Sequence, residues 1–351
     1  MDFELCDEQR MMKDSLRRTL TDPDLEVVSL WQICAELGLT MAGIDEAQGG
    51  IGGGAIELAI IAEEIGRQVL PLSWAGFSAS LGVLKALDEP GFAGLGRLAE
   101  GTRYALAWSE AAQASPHALP ETTAERKADG GFILNGKKIV VVDGQDAEII
   151  LCTAQLEGQY AVFELDASMT EAGRSSYSAV GGAAVADLKL DRVQLPADAL
   201  LASGARAQDA VVAGFDLGTL MACAEAVGSL QRSFELTSTY LAERKQFGRA
   251  LSDFQVLQHR VVDLLVAAEE ARALLHFGLS AQDAPAKERG KAVSSCKLRL
   301  SKVALDCIGD AVHMHGGMGI TSEYPIGHHF MKALAFQHLW GTSDFHLDRI
   351  V

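Results

Sequence analysis

The chain has 351 residues, with 47 acidic side chains against 30 basic ones, a formal charge of −17 at pH 7, 48% hydrophobic and 6% aromatic residues. This is the composition of an ordinary globular protein with room for two or three domains. Its acidic excess excludes a nucleic-acid-binding role, because that affinity comes mainly from Lys and Arg.

No window approaches 18 uninterrupted apolar residues, so no membrane span is expected. The opening MDFELCDEQRMMKDSLRR lacks the apolar run of a secretory signal and the acid-poor character of a mitochondrial presequence. Six cysteines (Cys6, Cys34, Cys152, Cys223, Cys296 and Cys307) lie far apart with no C-x-x-C pair, and read as small core residues of a reducing, cytoplasmic location.

From Glu8 to about Arg103 apolar residues recur at three and four, as in Val27, Leu30, Cys34, Leu37 and again Leu58, Ile61, Ala62, Ile65, which predicts helices. Gly49 to Gly54 and Pro71 punctuate them, and Glu63-Glu64 before Gly66-Arg67 predict a polar helix face and a glycine stop. From about Tyr104 the period becomes two. Short strands are expected at 122–126, 132–134, 138–142, 149–153, 160–165, 185–190 and 193–196, with hairpin turns at Asp129-Gly130, Asn135-Gly136 and Glu157-Gly158. After Ala205 the helical period returns over 207–243, 253–281, 286–314 and 327–340, with short connections that imply antiparallel neighbours. The expected architecture is α+β: an N-terminal helical domain (1–103), a central β-domain (104–205) and a C-terminal four-helix bundle (206–351).

Gly50, Gly52 and Ala55 match a G-x-G-x-x-A dinucleotide fingerprint, but no buried strand precedes them and no acidic residue follows at about twenty positions, so an interhelical loop is expected. No P-loop and no G-x-S-x-G elbow around Ser109 or Ser115 occurs. His313, His315, His328, His329, His338 and His346 crowd the C-terminus without metal-ligand spacing, so no metal is expected.

Two motifs are more specific. Glu243-Arg244-Lys245-Gln246-Phe247-Gly248 ends one long helix, with Gln255 opening the next, and His313-Met314-His315-Gly316-Gly317-Met318-Gly319 ends another. An arginine fork suits a pyrophosphate, and paired glycines let an anion approach the backbone. Each alone also fits a surface charge or a glycine cap.

In this order, with DFEL-x-x-EQR, QGGIGGG leading to AEEIGR, LNGKK, DRVQLPADALL, AERKQFG with DFQ, MHGGMGITSEYP and WGTS, the motifs resemble the acyl-CoA dehydrogenase family over nearly the whole chain. The resemblance implies FAD-dependent α,β-desaturation of an acyl-CoA: a carboxylate takes the α-proton, the β-hydride passes to FAD, and an electron-transfer flavoprotein reoxidises the flavin. It also implies FAD contacts from Arg244, Phe247, Gln255, His313 (where a Gln is usual), Gly316, Gly317 and Thr342, several of them directed to the neighbouring subunit's cofactor.

The departures are equally informative. The family's usual base position, before Gly341-Thr342-Ser343, is Trp340, whose indole offers no usable base. The alternative family position is Gly218, followed by Thr219 in place of Arg. Glu225, two turns on, is a weak candidate, more readily a helix-face charge. Where the family carries strands against the flavin ring, this chain reads Ser109-Glu110-Ala111, Ser115-Pro116 and Val140-Val141-Val142-Asp143-Gly144.

Loss of groups acting in cis beside retention of groups acting in trans resembles the catalytically incomplete subunit of α2β2 steroid side-chain acyl-CoA dehydrogenases. The expectation is therefore a subunit acting on a bulky acyl-CoA, with a homologous subunit supplying the base. Two alternatives remain: a self-sufficient homotetramer using Glu225 or Glu110, and a non-enzymatic scaffold of the same fold.

Overall fold

The computed structural model describes residues 4–21, 30–111 and 115–351. Asp2, Phe3 and Val27, which the sequence reading used, lie outside them. Within the described residues, α1 (Asp7–Leu20), α2 (Leu30–Glu36), α3 (Ala55–Gln68), α4 (Trp74–Ala86) and α5 (Glu89–Ala99) precede the first strand. The strands are β1 (Tyr104–Ala107), β2 (Thr123–Arg126), β3 (Phe132–Val142), β4 (Ile149–Leu156), β5 (Gln159–Asp166), β6 (Arg174–Ser178), β7 (Ala184–Leu195) and β8 (Leu200–Ser203). They form one sheet in the order β6-β7-β3-β2-β4-β5-β8, with β1 added parallel to β4. The C-terminal part holds α6 (Ala205–Glu243), a two-residue-per-strand ribbon of β9 (Lys245–Gln246) and β10 (Arg249–Ala250), then α7 (Gln255–Ser280), α8 (Ala286–His315), α9 (Ile326–Phe336) and α10 (Ser343–Ile350).

Two cores follow from this layout. Phe132, Leu134, Ile150, Phe163 and Leu188 fill the interior of the sheet. Tyr104, Leu106, Leu151, Val162 and Val185 on its other face join the helical core of α3, α4, α6 and α8. The α+β architecture is thus sheet against helices on both sides in sequence.

Several local expectations change. Asn135-Gly136 is a bulge inside β3, not a hairpin turn: pairing with β7 slips between Leu134 and Gly136, and Asn135 Oδ1 accepts from Arg192 N at 2.9 Å. A turn would require the two flanking halves to pair with each other, whereas both pair with β7 and the first also pairs with β2. The expected strands 185–190 and 193–196 are likewise one strand, β7. Glu63 and Glu64 form no solvent face; they are buried and bonded to Lys13 (2.6 Å) and Arg17 (2.7 Å) of α1. Four cysteines are buried, but Cys6 is exposed and Cys307 half-buried.

Gly66 is no stop signal either, since α3 runs on to Gln68. A Cβ at Gly66 would lie 2.0 Å from the carbonyl oxygen of Glu225, and one at Gly228 would lie 1.9 Å from that of Glu63. The two glycines therefore let α3 and α6 touch backbone to backbone. Gly82 and Gly214 do the same for α4 and α6, where a Cβ at Gly214 would fall 2.4 Å from Ala79 O. An 18-residue window of α6 has mean hydropathy 1.5, enough to cross a membrane by composition, yet 89% of that window is buried inside the protein. It is a core helix.

Gly228→Ala should be destabilising by at least the 1–3 kcal/mol, roughly, that overpacking costs, because a backbone carbonyl cannot rotate away. A urea midpoint equal to that of the wild type would contradict the backbone contact.

Candidate active site and trans surface

The two positions where the family seats its base come together in space. Trp340 follows α9, and Gly218 sits on α6. A Cβ at Gly218 would lie 2.9 Å from Cζ3 of the Trp340 indole, 2.8 Å from Ala79 Cβ and 2.9 Å from Ala75 O. One indole therefore occupies the space a side chain at either position would use. Trp340 is buried and adopts φ 62°, a conformation rare for non-glycine residues.

His346 holds it there. Its Nε2–H donates to Trp340 O at 2.8 Å, which leaves Nδ1 to accept from Ser294 Oγ at 3.1 Å. Burial, aided by the charge of Lys297, lowers the His346 pKa from 6.5 to about 3, so the ring is neutral in the fold.

The remaining carboxylates near this region are tied into the structure. Glu225 accepts from Trp74 N (3.0 Å) and Ala75 N (3.3 Å), capping the first turn of α4, and pairs with Lys332 of α9 at 2.9 Å. It lines an apolar cavity of about 60 Å³ together with Leu72, Ala222, Ala226, Phe336 and Trp340. Glu110 is fully buried against Lys138 at 2.6 Å and also accepts from Thr122 Oγ1, Thr122 N and Glu121 N. Burial alone would raise its pKa, but the Lys138 charge and these donors outweigh that and hold the carboxyl below its ordinary value. Both carboxylates are thus engaged by buried amides, hydroxyls or lysines of the fold itself.

The segments expected against a flavin ring adjoin one another, since Ile139 N donates to Ser109 O at 2.9 Å. Their side chains offer the ring little. Val141 and Val142 are buried, and Val140 N is already bonded to Asp187 Oδ1 at 3.0 Å. Asp143 points its carboxyl at the first turn of α4, where a Cβ at Gly76 would meet Oδ2 at 2.0 Å; burial pushes its pKa well above the ordinary carboxylate value. An isoalloxazine seat needs donors and acceptors for its ring nitrogens and oxygens. The residues present do not fit one.

The other end of α6 differs. Arg244 caps the helix, Phe247 follows at φ 53° with 89% exposure, and Gln255 opens α7; all three are exposed. Tyr240 Oη donates to His315 O at 3.2 Å and Arg260 of α7 contacts His313 Nδ1 at 3.1 Å, which draws the end of α8 to the same place. Gly316 and Gly317 are exposed there, and a Cβ on either would meet nothing within 4 Å. Arg244, Phe247, Gln255, His313, Gly316 and Gly317 thus share one open surface that suits the pyrophosphate and adenosine end of FAD. Thr342 does not belong to it: it caps α10 beside Trp340, accepting from Phe345 N at 3.4 Å. Gly218 and Arg244 lie roughly 39 Å apart along α6 at 1.5 Å per residue, so the open surface lies well away from the Trp340 indole.

Sequence reasoning missed Trp108, Phe215 and Lys332, and weighed His346 only as a metal ligand, not as the partner of the Trp340 carbonyl. Only Phe215 carried a local signal, one turn before Gly218 on the same helix face.

Family models for the N-terminal and C-terminal domains of acyl-CoA dehydrogenases match residues 7–93 and 208–351. The chain belongs to the acyl-CoA dehydrogenase family, whose members are FAD-dependent oxidoreductases. Over 99% of the chain and 94% of the relative it is 28% identical to an acryloyl-CoA reductase (NADH) of Anaerotignum propionicum. Among solved structures it is similar to a chain of the Tcur3481-Tcur3483 steroid ACAD (TM-score 0.84, 26% identity, 98% and 96% of the two chains). It also shares the fold of a glutaryl-CoA dehydrogenase of Mycobacterium smegmatis in complex with FADH2 (TM-score 0.82, 22% identity, 99% and 94%).

Trp340→Glu in the lone chain should give no acyl-CoA dehydrogenation, because the segment around Val140 and Val142 would still offer no flavin seat; robust turnover would overturn that account. The neutral His346 has a second consequence. Its stabilisation is complete above pH 6.5 and is lost as pH falls from 6.5 toward 3, since the unfolded imidazole binds the proton first. Between pH 7 and pH 5 the wild type should lose about 2 kcal/mol more than His346→Gln in urea unfolding.

Proposed function

We propose that this chain is the base-less subunit of a heteromeric, FAD-dependent acyl-CoA dehydrogenase. A homologous acyl-CoA dehydrogenase subunit supplies the α-proton acceptor and the flavin ring's seat, in an α2β2 assembly. The reaction is α,β-desaturation of a bulky acyl-CoA of the steroid side-chain type, and the electrons leave through an electron-transfer flavoprotein in the cytoplasm. The single observation that carries this reading is the contrast along α6: the Trp340 indole fills both base positions at Gly218, while Arg244, Phe247, Gln255 and Gly316-Gly317 stay open at the far end.

When bound, FAD supplies the hydride acceptor. This chain's residues would grip its far end: the Arg244 guanidinium as a fork for phosphate, Phe247 and Gln255 beside the adenosine, and the Gly316-Gly317 backbone where a side chain would obstruct approach. The similarity to the steroid ACAD supports the substrate class. Apolar residues exposed along α7, Val256, Val262, Val266 and Phe277, support a helical partner surface.

Purification of the chain alone and with its partner separates the readings. A colourless lone chain that joins a yellow, active complex is expected; a yellow and active lone chain would instead support the self-sufficient enzyme, and a complex without flavin the scaffold. Arg244→Ala removes a charge-assisted contact worth about 1.5–3 kcal/mol, so the complex should lose flavin affinity roughly ten- to a hundredfold, with turnover largely restored by saturating FAD. Equal flavin-to-protein absorbance ratios after gel filtration would refute the trans contact.

A further inference from the structure

Where the end of β1 meets the helical bundle, beside the Ser109 segment expected against a flavin ring, aromatic rings pack against one another. Phe215 of α6 is the hub. Trp108, at the end of β1, meets it edge-on at 5.2 Å, Phe345 of α10 meets it edge-on at 5.5 Å, Trp340 lies at 6.1 Å, and His346 stacks at 6.3 Å. The Arg349 guanidinium sits over both Phe215 (5.8 Å) and Phe345 (5.5 Å). These side chains come from three separate parts of the chain, and each aromatic pair contributes beyond the area it buries.

The cluster is also fastened. Asp216, the neighbour of Phe215, is fully buried and accepts from Arg349 at 2.8 Å and Arg289 at 3.2 Å, which ties α10 and α8 to α6. Gly341 at φ 93° lets the chain turn under Trp340, where a Cβ would strike Phe345 and His346 at 2.6 and 2.7 Å. A tryptophan held in a left-handed conformation persists only where its surroundings over-determine it. Here those surroundings are the His346 bond to its carbonyl and the Gly218 surface beneath its indole.

We infer that Trp108, Phe215, Trp340 and Phe345 form a permanent internal plug that closes this region to any planar heteroaromatic ring and fixes its walls with no cofactor present. The inference rests on the functional reading only in locating the flavin-ring segment. It differs from a mere loss of donors, because an unfurnished but empty crevice would still admit a flat ring weakly, whereas a plugged one admits none until rings are removed.

The test uses riboflavin, which carries the isoalloxazine but no adenosine end, on the full-length chain in an Arg244→Ala background. The far surface is then silent twice over. Titration should leave riboflavin fluorescence unquenched and the melting temperature unchanged, whereas Trp108→Ala/Trp340→Ala in the same background should quench riboflavin saturably. Saturable quenching by the parent chain, or a double variant that folds yet gains no binding, would overturn the plug.

Should the double variant not fold, Phe215→Leu keeps the site filled but removes the hub ring. It should abolish the near-ultraviolet circular dichroism of the tryptophan cluster while leaving the far-ultraviolet spectrum intact; an unaltered near-ultraviolet spectrum would also overturn the plug. A failed partner-subunit experiment would leave these outcomes unchanged. Riboflavin binding by the parent would leave the Arg244 trans contact unaffected.

Discussion

Everything in this protein is arranged around how closely α6 can lie against α3 and α4. Glycines at 66, 82, 214, 218 and 228 remove the side chains that would separate these helices, so carbonyl oxygens of one helix sit where a neighbour's Cβ would otherwise be. Direct backbone contact of this kind leaves little freedom in axial register. It sets Gly218 under the Trp340 indole and Glu225 against the first amides of α4. It also places the Arg244 end of the helix well clear of that indole. The closed centre and the open far surface are two ends of one rigid element.

That geometry explains why the losses in this chain are coupled. A glutamate at position 218 cannot coexist with the indole at 340, and Glu225 cannot leave the α4 terminus without exposing two amides and stranding Lys332. Glu110 is held in the same manner by Lys138, both buried. Glu225 and Glu110, the two carboxylates the sequence offered as substitutes, thus both carry structural contacts.

Much of the architecture was legible from the amino-acid sequence, because helix periodicity from 207 onward and alternation between 104 and 203 are properties of neighbouring residues. That neither position 340 nor position 218 carries a carboxylate was legible too, one position at a time. That these are one site was not, since the contact joins residues far apart in the chain. Asn135-Gly136 misled for a related reason: its local chemistry suits a hairpin, but the strand register is decided by β7 on the far side. Glu63 and Glu64 read as a solvent face because α1, whose Lys13 and Arg17 neutralise them, has no sequence mark of being their partner. The Phe215 ring cluster draws members from residues 108, 215, 340 and 345, and no spacing rule reports such an assembly.

The hydropathy of α6 carries a consequence for synthesis. As a nascent segment it is greasy enough to be taken for a membrane anchor, and it owes its place in the fold to being covered. Two of the helices that cover it most closely, α3 and α4, leave the ribosome before it does, while α8 and α9 follow. Vectorial emergence therefore offers α6 a prepared cradle at the moment it is most exposed. Had the order of the segments been reversed, the same contacts would arrive too late to shield it from aggregation or mistargeting.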